Sequence, residues 1–286
     1  MTRQQEETRD QLIDRVVDHV QEKLPADEAK LLSQFIKLYA VTAAPEDLIN
    51  RTVIDLYGAF VSHWQFINHV SPEGYQIRIY NPQFEQHGWQ STHTVIEILH
   101  PDIPFLLESI RIVLNRLGAN IHIILHLGGL HFERDVKGHI TKIEVNHQGK
   151  TKQSLEAPIF IEIDRQNNKN VIDQLKFTLN DVLNEVRLAV DDWKPMLGKM
   201  NETVDHLQTD SVHKNQEEIN EIVEFLKWIN NNHFTFLGYC YRDLIKEGDK
   251  IVFRFQLFHM TDIKNGCSGD KLFPITCWKG GFVLMI

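Results

Sequence analysis

Several histidines crowd one part of this chain. His122 and His126 fall on one face of a short apolar run, and His100, His131 and His139 lie nearby. Imidazole is a common metal ligand, so a site could be assembled there. However, the spacing is already that of a strand's polar face. No His-Glu-x-x-His and no Cys-x-x-Cys accompanies it, so no metal residue is assigned. Nucleophilic chemistry has less support still. There is no Gly-x-Ser-x-Gly, and Cys240 sits in an apolar run, where a free cysteine is usually a small core residue. Asp102 and Glu108 could be drawn as an acid and base, but Asp102 reads as a helix N-cap and Glu108 as a solvent-facing helix residue. Asp191-Asp192-Trp193 reads as a helix end. The fifteen glycines contain no Gly-x-Gly-x-x-Gly and no P-loop. The residues therefore assign no catalytic, cofactor-binding or metal position, and no cofactor is expected on this chain. A stand-alone metal enzyme using the histidines is the rival reading.

The elements that must position these residues centre on residues 92–127. Thr94, Ile96 and Ile98 alternate with His93 and Glu97 as in a half-buried strand. A helix follows, with Asp102 as its cap, Pro104 in its first turn and Gly118 at its end. Leu106, Ile110, Val113, Leu114 and Leu117 form one stripe on it, which must cover a sheet. Further alternation predicts strands at 120–127, 130–136, 139–145 and 158–164. A long helix is predicted over 168–193. One-sided alternation predicts a sheet with both helices on one face and an open polar face carrying His122 and His126. Before this unit, residues 1–70 read as three helices, the third running unbroken from Pro45 to Ile67. Residues 71–195 read as the sheet-containing domain. Residues 196–216 read as a polar linker, and 217–286 as a helix and β hairpin that begin a further module.

Composition narrows the function classes. Of the 286 residues, 42% are hydrophobic and 24% charged, and the net charge of −9 includes no basic block, so neither nucleic acid nor an anionic membrane is an expected partner. The polar N-terminus does not resemble a signal peptide, and no apolar run reaches the roughly 18 residues of a membrane span. Cys240, Cys267 and Cys277 form no close pair, which suits a reducing cytoplasm. After Met260 the pattern fails, and the apolar end Phe282 to Ile286 suggests a chain cut short or shifted out of frame.

The linker His100 to Leu106 is similar to the Asp-x-Pro-Gly-Leu turn of ACT domains, small effector-binding modules attached to enzymes of amino-acid metabolism. Asp102, Pro104 and Phe105 are the effector loop this resemblance implies, with Phe105 where those domains usually have Gly. A wider set of motifs resembles the N-terminal region of the large bacterial NAD-specific glutamate dehydrogenases. It comprises Asp55-Leu56-Tyr57-Gly58, Gly88-Trp89 with Thr92-His93-Thr94, Phe160-Ile161-Glu162-Ile163-Asp164, Val190 to Leu197, Phe225-Leu226-x-Trp228 and His233 to Tyr239.

The resemblance implies an α+β chain, with N-terminal helices followed by an ACT-like (ferredoxin-like), mostly antiparallel sheet. It also implies a regulatory or assembly role without catalysis, in a cytoplasmic homo-oligomer that oxidises L-glutamate with NAD. Downstream modules of that enzyme, further copies of the chain and an amino-acid effector are the implied partners. Lys279-Gly280-Gly281-Phe282 is similar to a stretch of the family's catalytic domain in which the lysine helps hold substrate, but with no surrounding domain coincidence is the reading kept. The alternative is a free-standing ACT-like module that senses an amino acid.

Overall fold

A strand pair buried on both faces has to be apolar along nearly its whole length, and two strands of this chain are. In the computed structural model, which describes residues 3–69, 74–146, 154–209, 215–234, 236, 239–247 and 250–258, β2 (Thr94–Pro101) and β6 (Glu156–Ile163) form the centre of a six-stranded sheet. They pair antiparallel from Thr94 opposite Ile163 to Pro101 opposite Glu156. β1 (Gln76–Tyr80) adds to the free edge of β2. The other edge of β6 takes β3 (Ile121–His126) and, at Glu156, the hairpin of β4 (Leu130–Arg134) and β5 (Ile140–Val145). Every pairing is antiparallel, and the α+β class expected from the sequence holds.

The open face does not. Val95 and Leu99 of β2, Phe160 of β6 and Ile123 and Leu125 of β3 share one core with the N-terminal helices α1 (Arg3–Lys23), α2 (Ala26–Ala40), α3 (Pro45–Ile49) and α4 (Val53–Ile67). On the opposite face Ile96, Ile98, Ile159, Ile161 and Ile163 are also buried. The stripe of α6 (Leu106–Arg116) and the buried Leu175 and Leu179 of α7 (Lys169–Thr209) are the apolar surface left to cover them. Alternation reads as one-sided when the second face carries polar side chains, and here that face carries glutamates which the helices bury.

Two local signals shape the helical layer. The helix expected from Pro45 to Ile67 breaks at Asn50 to Thr52, because Thr52 caps α4. Its hydroxyl accepts from the Asp55 N–H at 3.1 Å and donates to the Asp55 carboxylate at 2.6 Å. A short helix α5 (Phe84–His87) then leads to Trp89, which lies so close to α4 that a Cβ on Gly58 would be 2.3 Å from the Trp89 Cβ. The Gly58 and Gly88-Trp89 motifs are thus two halves of one contact.

The chain divides into two compact units, Met1–Val182 and Leu183–Ile286. The first takes in the helices of 1–70 together with the sheet, through their common core. In the second, the expected linker is helical over 196–209. α7 runs on through Pro195, with Met196 and Met200 packed on Ile229 and Phe236, and Val204 on Ile219 and Val223 of α8 (Gln216–Trp228). A kinked turn at Ile229–His233, with Asn232 in the left-handed region at φ 59°, follows, then a two-stranded hairpin of β7 (Tyr239–Glu247) and β8 (Lys250–Phe258). Lys279, Cys267, Cys277 and the apolar end fall outside the described residues. No helix among the described residues is long and apolar enough to cross a membrane.

Leu106 is 2% exposed under the α6 layer. Leu106→Asp places an unpaired charge there and should lower the unfolding free energy by more than about 4 kcal/mol. Chemical denaturation of the variant beside the parent chain checks this, and an unchanged midpoint would mean that the stripe is not buried.

Candidate functional site

The chemistry-bearing residues of the first unit gather between the sheet and the N-terminal helices. Glu97 and Glu162 project from the two central strands on the same face as Val95 and Phe160, and both are fully buried. A buried carboxylate needs a charged counterpart, and each meets an arginine, a two-pronged one at Glu162 and a single donor at Glu97, whose Oε1 is buried with no hydrogen-bond partner among the described residues. Arg51, in the break between α3 and α4, forks onto Glu162 with Nη1 at 2.8 Å and Nη2 at 2.6 Å, while its Nε donates to the Asp47 carbonyl. Burial pulls the Arg51 pKa down, but the hydrogen bond and charge of Glu162 together outweigh it, and the guanidinium stays above its ordinary value. Arg78, directly across from Glu97 in the sheet register, donates from Nε to that carboxylate and from Nη2 to the Ser62 carbonyl and hydroxyl, both at 3.0 Å. Its guanidinium packs over the rings of Phe66 and Tyr80.

A histidine stands beside each pair. His63, 1% exposed, stacks on Tyr39 and sets its Nδ1 3.4 Å from Glu97 Oε1. His93 approaches Glu162 at 3.2 Å, and its ring contacts that of His122 at 4.2 Å. Burial lowers the pKa of His93 against the opposing pull of Glu162, and His122 lowers it further. His122 sits at a register shift of β3 and bonds Asp164 at 2.6 Å. Tyr39 from α2 points its hydroxyl at the carbonyls of Leu125 (2.8 Å) and Pro158 (3.1 Å). Burial, and after it the charge of Glu97, hold that hydroxyl well above its ordinary pKa, so it remains a donor.

Beside Arg51 and His93 opens a cleft of about 760 Å³, walled also by Asp55, Phe84, Glu85 and Arg165. Arg165 donates to the Ser91 carbonyl at 2.9 Å and meets no carboxylate among the described residues. It is the wall's one unpaired guanidinium. Phe84 is 62% exposed.

The residues named from sequence are placed elsewhere. Asp102 does not cap α6. Its carboxylate accepts from the Gly129 N–H at 2.7 Å and so closes the β3–β4 turn, where a Cβ on Gly128 would stand 2.7 Å from Asp102 Oδ1. Phe105, after Pro104, precedes α6 with φ 66°, the left-handed conformation that favours glycine, and is half exposed. The histidines do not converge. His122 is on Asp164, His139 is near Asp135, His100 bonds the Pro101 carbonyl, and His126 is partly buried with no partner at Nε2. Among the described residues, His131, Glu133 and Glu144 could reach one cation, but Lys142 already occupies the place, 3.0 Å from Glu133 and 2.5 Å from Glu144.

Sequence reasoning missed Arg51, Arg78, His63 and Glu162. The Thr52-x-x-Asp55 cap would have exposed the helix break that frees Arg51, and an arginine opposite a glutamate on neighbouring strands would have marked Arg78.

Removing one partner of a buried pair leaves the other uncompensated, so Arg51→Ala should cost about 3–5 kcal/mol of stability. Arg51→Lys should recover only part, since an ammonium cannot fork. Urea unfolding of the three chains measures this. Burial also holds His126 below its ordinary 6.5, despite Asp102 and Glu108. The unfolded chain therefore binds that proton more readily, and the stability His126 contributes is lost as the pH falls through about 6.5. His126→Gln should then lose less stability than the parent between about pH 7.5 and about pH 5.5, read as the shift of the urea midpoint.

Comparison with known sequences adds to this geometry. Residues 35–179 match the family described as Glutamate dehydrogenase, ACT1 domain, a span from α2 to the first part of α7 that crosses the boundary expected at residue 71. The chain is 38% identical over 236 residues to an NAD-specific glutamate dehydrogenase of Halomonas elongata, covering 82% of this chain and 15% of that protein. It is 36% identical over 240 residues to one of Pseudomonas aeruginosa, covering 84% and 14%. It thus spans about 15% of the length of the curated relatives it matches.

Proposed function

The chain belongs to the glutamate dehydrogenase ACT1-domain family, and on that premise we propose that it is an N-terminal regulatory and assembly region of an NAD-specific glutamate dehydrogenase. In this reading it takes no part in the chemical step. The reaction served is the oxidation of L-glutamate by NAD and water to 2-oxoglutarate, ammonium and NADH. The parts of the full-length enzyme that hold NAD and substrate are its partners, and further copies of the chain assemble with it.

The observation that carries the reading is the match of residues 35–179 to the ACT1 domain. The site chemistry supports it. The buried carboxylates and arginines are spent on one another in pairs that fix helices to the sheet, which is an architectural use of charge. An amino-acid effector, the partner expected of an ACT-like module, has room in the cleft beside Arg165. At the β2–α6 turn the Asp102 carboxylate is already taken.

The purified 286-residue chain, mixed with L-glutamate and NAD, should form no NADH by absorbance and bind no NAD in calorimetry. NADH formation that disappears on Lys279→Ala would instead make the chain an enzyme.

A further inference from the structure

Charge on the wall of the cleft of about 760 Å³ is only partly spent. Arg51 and His93 both face Glu162, and the Asp55 carboxylate accepts from the Thr52 hydroxyl at 2.6 Å, so these groups are engaged. Two others are not. Among the described residues, Arg165 donates to the Ser91 carbonyl and meets no carboxylate, and Glu85 meets no donor and no cation. These two opposite charges line one cleft yet form no ion pair with each other. A guanidinium and a carboxylate left apart in one concave space suit a ligand that carries both signs of charge.

The wall beneath both groups is already built. The Ser91 carbonyl holds the Arg165 guanidinium at 2.9 Å, just past the end of β6. Phe84 and Glu85 stand on α5, which the Gly88 N–H closes by donating to the Phe84 carbonyl at 2.9 Å, with Gly88 at φ 72°. Trp89, the next residue, is buried against Gly58 of α4. A ligand therefore has little of this wall to order on binding. The volume lies within the roughly 300–1,000 Å³ of small-molecule sites. A phosphate or a nucleotide would set negative charge against Glu85 and Asp55, and a metal cation would face Arg165. A free amino acid has a carboxylate for Arg165 and an ammonium for Glu85, and an apolar side chain on it can lie on the exposed ring of Phe84.

Resting on the regulatory role proposed above and deepening it, we propose that this cleft is a binding site for a free α-amino acid with an apolar side chain. The Arg165 guanidinium takes the α-carboxylate, Glu85 takes the α-ammonium, and Phe84 packs on the side chain. The site stands at the start of β2, the end away from Asp102 and Phe105. An amino acid with a second carboxylate, L-glutamate among them, brings that charge toward a wall that already carries Asp55, and binds less well.

Isothermal titration calorimetry of the full 286-residue chain tests this. L-phenylalanine and L-leucine should bind. Hydrocinnamate, which is phenylalanine without the ammonium, and phenethylamine, which is phenylalanine without the carboxylate, should each bind roughly tenfold or more weakly, as should L-glutamate. Arg165→Gln and Glu85→Gln should each weaken L-phenylalanine by roughly tenfold or more, with thermal melting unchanged because both side chains are exposed. The two variants should also separate the ends of the ligand. Glu85→Gln should remove the preference for L-phenylalanine over hydrocinnamate, and Arg165→Gln the preference over phenethylamine, a pattern that no loss of fold could imitate. Three results would overturn the site: no binding of either amino acid at millimolar concentration, hydrocinnamate binding as tightly as L-phenylalanine, or binding that survives both substitutions. Each of them leaves the non-catalytic role standing, since that role fails on NADH formation instead.

Discussion

The structure turns on the burial of two carboxylates. Glu97 and Glu162 sit on neighbouring central strands, on a face that helices cover completely, and neither could be there ionised without a counter-charge delivered to it. The two arginines that supply it come from different places. Arg78 is the cross-strand neighbour of Glu97 on β1, and Arg51 reaches Glu162 from the break between two helices. Each pair therefore ties a separate element to the sheet. The Glu97 pair fixes the edge strand and, through Ser62 and His63, the middle of α4. The Glu162 pair fixes the α3–α4 break, and with it the position of the cleft wall.

Such pairs do not stabilise a fold simply by attraction. Desolvating two charges costs several kcal/mol for each ion, and a well-packed apolar pair of similar volume often does as well. What the pairs add is direction. A bidentate fork is satisfied in one geometry, so a helical layer that could slide along an apolar sheet is held in one register by Arg51 on Glu162. The Tyr39 hydroxyl, aimed at carbonyls of both β3 and β6, works alongside them with no charge. The apolar core supplies the bulk of the burial, and the polar contacts decide where the helices stop.

This arrangement explains what could be read from the sequence. The β2–α6–β3 unit was legible because its stripes have one clear period each, and local signals agree there with the tertiary fold. The second face of the sheet was not legible. Glu97 and Glu162 alternate with isoleucines as solvent-facing residues would, and nothing within either strand announces that an arginine distant in sequence will meet them. The run after Pro195 was missed for a related reason. Met196, Met200 and Val204 keep a helical spacing, but the polar residues between them and the proline conceal it, and tertiary packing overrides the local penalty. Of the candidate site, the histidines were visible and their partners were not, because carboxylate, arginine and imidazole come together from elements far apart along the chain.

The turn ahead of α6 shows how the same backbone can carry different chemistry. Phe105 adopts the positive φ that glycine usually provides, so the chain follows the ACT-like path while accepting the strain of a left-handed side-chain-bearing residue. A glycine there would leave the backbone open to a ligand's approach; the phenylalanine instead sets a half-exposed ring at that spot. Asp102, three residues earlier, faces away from the helix to the Gly129 N–H, where it fastens the β3–β4 turn. Both residues that would serve a ligand at this turn are thus engaged in shaping the surface. The cleft beside His93 lies at the opposite end of β2, walled by the helix break that Arg51 holds. The shape of that cleft and the buried Glu162 pair are therefore set by the same few residues, and a change that loosens the pair must also reshape the cleft.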